Sequence, residues 1–268
     1  MNRGAPIGVF DSGVGGLTVL RALTARLPDE ETIYLGDTAR VPYGTRSAEV
    51  VTRYALMSAR HLLARGIKLL VVACNTVSAQ SLPAVAAALP IPVVGVIEPG
   101  AAAAAAISRG GKIAVLATPG TVASGAYQAA LRRLLPASQV AARACPLFVP
   151  LAEEGWTDGE VPRLVAERYL SDLRRSGVDT AVLGCTHYPL LARVISEVMG
   201  PQVAIVDGAE ATAASVASLL DKHGLARTPG QQPKHRTLCT DMPDRFRAIA
   251  ERFLGRPVAA VELVDLTP

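Results

Sequence analysis

The chain has 268 residues, 50% of them hydrophobic and 19% charged, which excludes a disordered polypeptide and leaves room for one large domain or two small ones. Aromatic residues make up only 4%, so the core must be built from Ala, Val, Leu and Ile, and stacking platforms for single-stranded nucleic acid are disfavoured. The formal net charge of +4 is spread along the chain without a dense Lys/Arg block, so nucleic-acid binding is not expected.

Short apolar runs alternate with longer amphipathic stretches. Residues 7–10 read as a buried strand ending at Asp11, after which Gly13, Gly15 and Gly16 turn the chain into a helix over 17–27. A second strand over 32–35 ends at Gly36 and Asp37, and a helix follows over 47–64. Residues 69–73 form a third strand ending at Cys74. The periodicity then predicts one helix over 77–89, kinked at Pro83, and a fourth strand over 93–97. After a break near Glu98, Pro99 and Gly100 the pattern restarts, with a helix over 101–107, a strand over 112–116 ending at Ala117 and Thr118, and a helix over 121–134. A strand over 180–183 ends at Gly184 and Cys185, a helix covers 190–198, and a strand over 203–206 ends at Asp207, where a second break is read. Strand–helix alternation implies an α/β fold with mostly parallel sheets flanked by helices, here in two halves.

The halves carry a faint internal repeat. Val71 to Thr76 (VVACNT) resembles Val182 to His187 (VLGCTH), and each places a cysteine just after a buried strand. Ligands of α/β folds bind at the carboxyl ends of strands, often in a cleft between halves. A thiol at a helix N-terminus is expected to have a lowered pKa, and the free N–H groups there can hold a carboxylate. Asn75-Thr76 and Thr186-His187 are read as the capping residues of those helices. If the halves face each other, Cys74 and Cys185 flank a small anionic ligand from opposite sides. That arrangement suits racemisation, in which one thiolate removes a proton from a stereocentre and a thiol returns one on the other face. Donors around the carboxylate must then stabilise a carbanion-like transition state, and Asn75, Thr76 and Thr186 are placed to supply them.

Other residues carry weaker signals. An isolated buried cysteine is usually a small core residue, and Cys145 and Cys239, outside the repeat, are read that way. Asp11 can tune a nearby thiol or contact an ammonium group, or simply cap the next segment. The Gly13-Val14-Gly15-Gly16 turn departs from a dinucleotide-binding fingerprint because Leu17 stands in place of the third glycine. Tyr43, in Pro42-Tyr43-Gly44, is a candidate lid or substrate donor; His187 can polarise Cys185; Glu153 and Glu154 fall in a Gly-containing loop. No lysine sits in a pyridoxal-phosphate motif, so no cofactor is expected, and the four scattered cysteines argue against a metal site and for free thiols. The start has no apolar h-region and no stretch is long enough to span a membrane, so a cytoplasmic protein without membrane association is expected.

The segments GVFDSGVGGLTV, YLGDTARVPYG, VVACNTVSA, CPLFVPLAEEG, LGCTHYPLL and VDGAEATA together resemble the signature blocks of the glutamate racemase family. One cysteine block alone would also suit the wider aspartate/glutamate racemase superfamily, whose aspartate and hydantoin racemases are the rival reading. The resemblance implies a cofactor-independent isomerase that interconverts L- and D-glutamate for peptidoglycan. It implies two pseudosymmetric α/β domains with the site in the cleft between them, residues 1–97 with 208–268 forming the first and 98–207 the second. By motif position Cys74 and Cys185 are the acid/base thiols, with Cys74 acting on the D-isomer and Cys185 on the L-isomer. Asp11, Glu153 and His187 assist them, Glu154 being one residue from the same register. Asp11, Ser12, Tyr43, Gly44, Asn75, Thr76, Thr118, Thr121, Thr186 and His187 bind substrate. A homodimer is expected, with no feature selecting its interface. Some family members also bind and inhibit DNA gyrase; only six residues precede the first strand here, which offers no added arm for such a role.

Overall fold

The structure, a computed structural model, describes residues 2–230, 232–258 and 260–266. The outermost residues of the expected first domain, Met1, Thr267 and Pro268, lie outside the described residues, as do Gln231 and Ala259. In chain order the first half runs β1 (Ile7–Asp11), α1 (Leu17–Arg26), β2 (Thr32–Gly36), α2 (Ala48–Ala64), β3 (Leu69–Val72), α3 (Asn75–Gln80), α4 (Leu82–Ala87) and β4 (Val93–Gly95). The chain continues through α5 (Ile97–Ile107), β5 (Lys112–Ala117), α6 (Pro119–Ser124), α7 (Ala126–Leu134), β6 (Gln139–Ala144), α8 (Phe148–Glu154), α9 (Glu160–Arg175), β7 (Thr180–Gly184), α10 (Ala192–Met199) and β8 (Ala204–Val206). It returns with α11 (Ala209–Lys222), β9 (His235–Cys239), α12 (Pro243–Leu254) and β10 (Glu262–Leu263).

Two parallel sheets result. The first has the order β10-β9-β2-β1-β3-β4, and the second β6-β5-β7-β8. Strand side chains alternate between faces, and the apolar clusters follow that rule. Ile7, Val9, Leu69 and Val71 on one face of the first sheet share a cluster with Ala114, Leu116, Ala181 and Leu183 on one face of the second. Phe10, Leu70 and Val72 turn to a separate cluster against α2, and Ile113, Val115 and Val182 to a third against α5 and α7. The central cluster is therefore common to both sheets and fixes one against the other.

Several helices differ from their predicted extents for identifiable reasons. The single kinked helix over 77–89 is two helices that meet at Ser81, because Pro83 begins α4 rather than bending a continuous one. The helix predicted from 101 begins at Ile97 and absorbs Pro99, whose missing N–H falls in a first turn that has no acceptor for it. The helix over 121–134 is divided at Gly125, which adopts φ 68°. Periodicity did not reveal β6, α8, α9, α11, β9, α12 or β10.

Candidate active site

The carboxyl ends of both sheets open onto one cavity of about 400 Å³. From the first half it is lined by Ser12, Tyr43, Gly44, Cys74, Asn75 and Thr76, and from the second by Thr118, Glu153, Cys185, Thr186 and His187. Both sulfurs thus face the same space, and both residues are nearly buried, at 5% and 7% exposure. The four cysteines are free thiols, and Cys145 and Cys239 are fully buried.

Cys74 follows β3 and occupies the N-cap position of α3, with its Sγ donating to Ser12 Oγ at 3.4 Å. Burial pushes this thiol up to about 12, and the charge of Asp11 adds to the shift. The Ser12 hydroxyl and the Val77 N–H oppose it without prevailing. The expected lowering by a helix terminus is therefore overturned for Cys74: α3 is only six residues long, and its partial charge loses to desolvation. Asp11 lies fully buried behind the site. Its Oδ1 accepts the Gly13 N–H at 2.9 Å, while Oδ2 makes no hydrogen bond of acceptable geometry with any described residue. It does not cap α1, which starts at Leu17 with no side-chain cap. Burial raises the Asp11 carboxyl, against the charge of His187 and the N–H groups of Gly13 and Gly16.

Cys185 is held differently. It is followed by a turn and a short 3₁₀ segment, Tyr188–Leu191, so no α-helix starts at the second thiol as the repeat suggested. His187 Nδ1 lies 3.8 Å from Cys185 Sγ, and His187 Nε2 lies 3.0 Å from Glu153 Oε1. The imidazole also packs edge-on against Phe253 of α12 at 5.3 Å between ring centres. Burial alone would lower its pKa; the hydrogen bonds to Cys185 and Glu153 outweigh it and raise His187 to about 10. The Glu153 carboxyl, which burial would raise, is held below its usual range by His187.

Around the thiols stand hydroxyls and an amide. Thr76, Thr118 and Thr121 form a triangle, with Oγ1 atoms 2.9 Å apart for Thr76–Thr118, 3.0 Å for Thr118–Thr121 and 3.4 Å for Thr76–Thr121. Thr121 reaches the cavity only through the other two. The Thr186 carbonyl accepts from Thr18 Oγ1 at 3.1 Å. Gly15 makes this approach feasible: a Cβ there would lie 2.2 Å from Thr186 Oγ1 and 2.5 Å from His187 Nδ1. On the other flank the Gly44 carbonyl accepts the Gly120 N–H at 2.8 Å, a main-chain clasp between the halves.

A family model for Asp/Glu/Hydantoin racemases matches residues 16–216. The glutamate racemase of Geobacter metallireducens is 57% identical over 260 residues, covering 97% of this chain and 96% of that protein. The chain belongs to the glutamate racemase family. Among solved structures, the glutamate racemase of Francisella tularensis, in complex with D-glutamate, superposes with a TM-score of 0.92 at 37% identity, covering 98% of both chains. The glutamate racemase isoform RacE1 of Bacillus anthracis gives 0.95 at 41% identity over 99% of both.

Against that family background, two local expectations need correcting. Glu153 and Glu154 lie not in a loop but in the last turn of α8, which Gly155 ends with φ 77°. Successive helical residues point about 100° apart, and here Glu153 faces His187 while Glu154 faces Arg245 at the surface, 3.7 Å away. Tyr43 is buried and is not a free substrate donor: its hydroxyl is spent on Asp37 Oδ2 at 2.5 Å, leaving the ring as cavity wall. The sequence reading missed Asp37, which also accepts from Arg40 at 2.8 Å and Thr240 at 2.8 Å and so anchors the Tyr43 loop. Its position directly after a strand, like that of Asp11, was the available signal. The apolar wall of Pro146, Val149 and Pro150 was also missed, although it lies within the CPLFVPLAEEG block.

Proposed function

We propose that this chain interconverts L- and D-glutamate by moving the Cα proton between Cys74 and Cys185, without an added cofactor, and so supplies D-glutamate for peptidoglycan. In the D-to-L direction the Cys74 thiolate takes the Cα proton. The C–H electron pair remains on carbon and spreads into the α-carboxylate, and the Cys185 thiol delivers a proton to the opposite face. The L-to-D direction reverses the roles. Each turnover leaves the protonation of the two sulfurs exchanged. Asp11, whose charge acts on Cys74, and His187 with Glu153, in contact with Cys185, set those protonation states.

Ser12, Asn75, Thr76, Thr118 and Thr186 provide uncharged donors for the substrate, with Thr121 orienting Thr76 and Thr118. Tyr43 and Gly44 form the wall opposite Thr118. Among the described residues lining the cavity there is no lysine or arginine, so apart from the raised His187 the carboxylates are carried by uncharged hydrogen-bond donors. The observation that carries this reading is that two thiols from matching strand ends line one cavity.

The test is racemisation of each pure enantiomer in D2O, followed by circular dichroism and by NMR at Cα. Glutamate should lose its optical activity from either side and its product should carry solvent deuterium at Cα. Turnover of aspartate or a hydantoin in its place would move the assignment to those sister activities, and an unlabelled product would exclude proton exchange.

The sheets support a division into one domain of residues 1–97 with 208–268 and another of 98–207, since β1–β4, β9 and β10 share one sheet and β5–β8 the other. We place the enzyme in the cytoplasm as a homodimer, an assignment that sedimentation and cell fractionation test. No described helix is long and apolar enough to cross a membrane.

A further inference from the structure

Asn75 lines the cavity, whereas Tyr127 lies on its far side, on α7 in the layer of the second sheet. Tyr127 is 2% exposed, and its hydroxyl donates to Asn75 Oδ1 at 2.8 Å across the seam between the halves. The ring occupies a slot kept clear by two glycines. A Cβ at Gly100 would lie 3.1 Å from the Tyr127 hydroxyl, and one at Gly184 would lie 3.1 Å from the ring edge. Burial, with the charges of Asp207 and Cys185, pushes the hydroxyl well above its usual range, so it stays a donor wherever the protein is folded.

A carboxamide offers an acceptor on one side and donors on the other. With its oxygen engaged by Tyr127, Asn75 has only its Nδ2 hydrogens to turn toward the cavity. Released from that bond, the amide can rotate and present its oxygen to a substrate carboxylate, exchanging attraction for repulsion. We propose that Tyr127 is a positioning residue that locks the Asn75 amide with its NH2 group facing the substrate carboxylate. This rests on the reading of Asn75 as a substrate-binding residue.

The experiment is steady-state kinetics with both enantiomers of glutamate for the parent, Tyr127→Phe, Asn75→Ala and the double variant, with near-ultraviolet circular dichroism to verify folding. Tyr127→Phe should raise KM about three- to tenfold, the range of one neutral hydrogen bond, with kcat nearly unchanged. In the Asn75→Ala background it should have no further effect. Gly100→Ala, whose methyl group would press on the Tyr127 hydroxyl, should shift KM in the same direction and provides a second probe if Tyr127→Phe folds poorly. Equal KM increases with and without Asn75 would show a purely structural tyrosine and overturn the proposal. So would a raised KM for Asn75→Ala beside parental values for both Tyr127→Phe and Gly100→Ala. A parental KM for Asn75→Ala would instead remove Asn75 from substrate binding, and the proposal with it.

Discussion

The surroundings of Cys74 and Cys185 make an instructive contrast. Both residues follow an interior strand of a parallel sheet, and both face the same cavity. Behind Cys74 stand a hydroxyl from Ser12 and a buried acid, Asp11, and the thiol is driven up to about 12. Beside Cys185 stands an imidazole raised to about 10 and backed by Glu153. The repeated backbone places two equivalent sulfurs, but the side chains behind them are not repeated. Burial holds the first sulfur as a thiol beside a carboxyl whose own pKa is raised, and the second lies beside a ring raised to about 10. Under the proposed two-thiol scheme, the two directions therefore draw on different surroundings.

The severest way to break the contrast is to replace each sulfur in turn. Cys74→Ser and Cys185→Ser should each lower turnover in both directions by about 10²–10⁴-fold, the usual reach of a single acid/base group, with the far-ultraviolet spectrum unchanged. Near-parental racemisation by either variant would end the two-thiol scheme. Glu153→Gln should act next, lowering turnover roughly ten- to hundredfold, as expected for loss of a charged hydrogen bond worth about 1.5–3 kcal/mol. Glu154→Gln should leave it unchanged, and equal losses in the two variants would contradict the helix register seen here.

A third measurement sharpens the contrast without relying on rate. Histidine titration by NMR in Cys185→Ala should give a His187 pKa below 10, because one of the two contacts that raise it is gone. Cys74→Ala should move it much less. The smallest effect should be on stability. The raised pKa of His187 contributes fully below its unfolded value of ~6.5, and this is lost as pH rises through about 10. The lowered pKa of Glu153 contributes above its unfolded value of ~4.3, and this is lost as pH falls through the lower folded value. The Tm difference between the parent and Glu153→Gln should therefore be widest between about pH 4.5 and 6.5 and shrink on either side. A difference that stays flat between about pH 6.5 and 10 would mean the ring is neutral in the folded protein.

Much of this arrangement can be read from local sequence, because the informative residues sit beside strands that are apolar on both faces. Cys74, Cys185, Asp11 and Thr118 each follow such a run. What could not be read depends on distant partners. The pairing of β9 with β2 joins segments some two hundred residues apart, and no periodicity carries that information. Asp37 acquires its meaning from Tyr43, Arg40 and Thr240 together. The half-exposed residues of the edge strand β6, whose Arg143 pairs with Asp172 on α9, lack the uniform burial that marks the central strands. The direction of the Cys74 shift was misread because a helix terminus is visible in sequence whereas the depth of burial is not.

Gly15 has a consequence for how this molecule can vary. Its missing side chain is the gap into which Thr186 and His187 fit, so even one methyl group would act as a wedge between the two lobes. His187 thus depends for its seat on a residue that contributes no functional group at all. Substitutions on the exposed faces of α2 or α9 leave that joint untouched, while the mildest exchange at position 15 would pry it open.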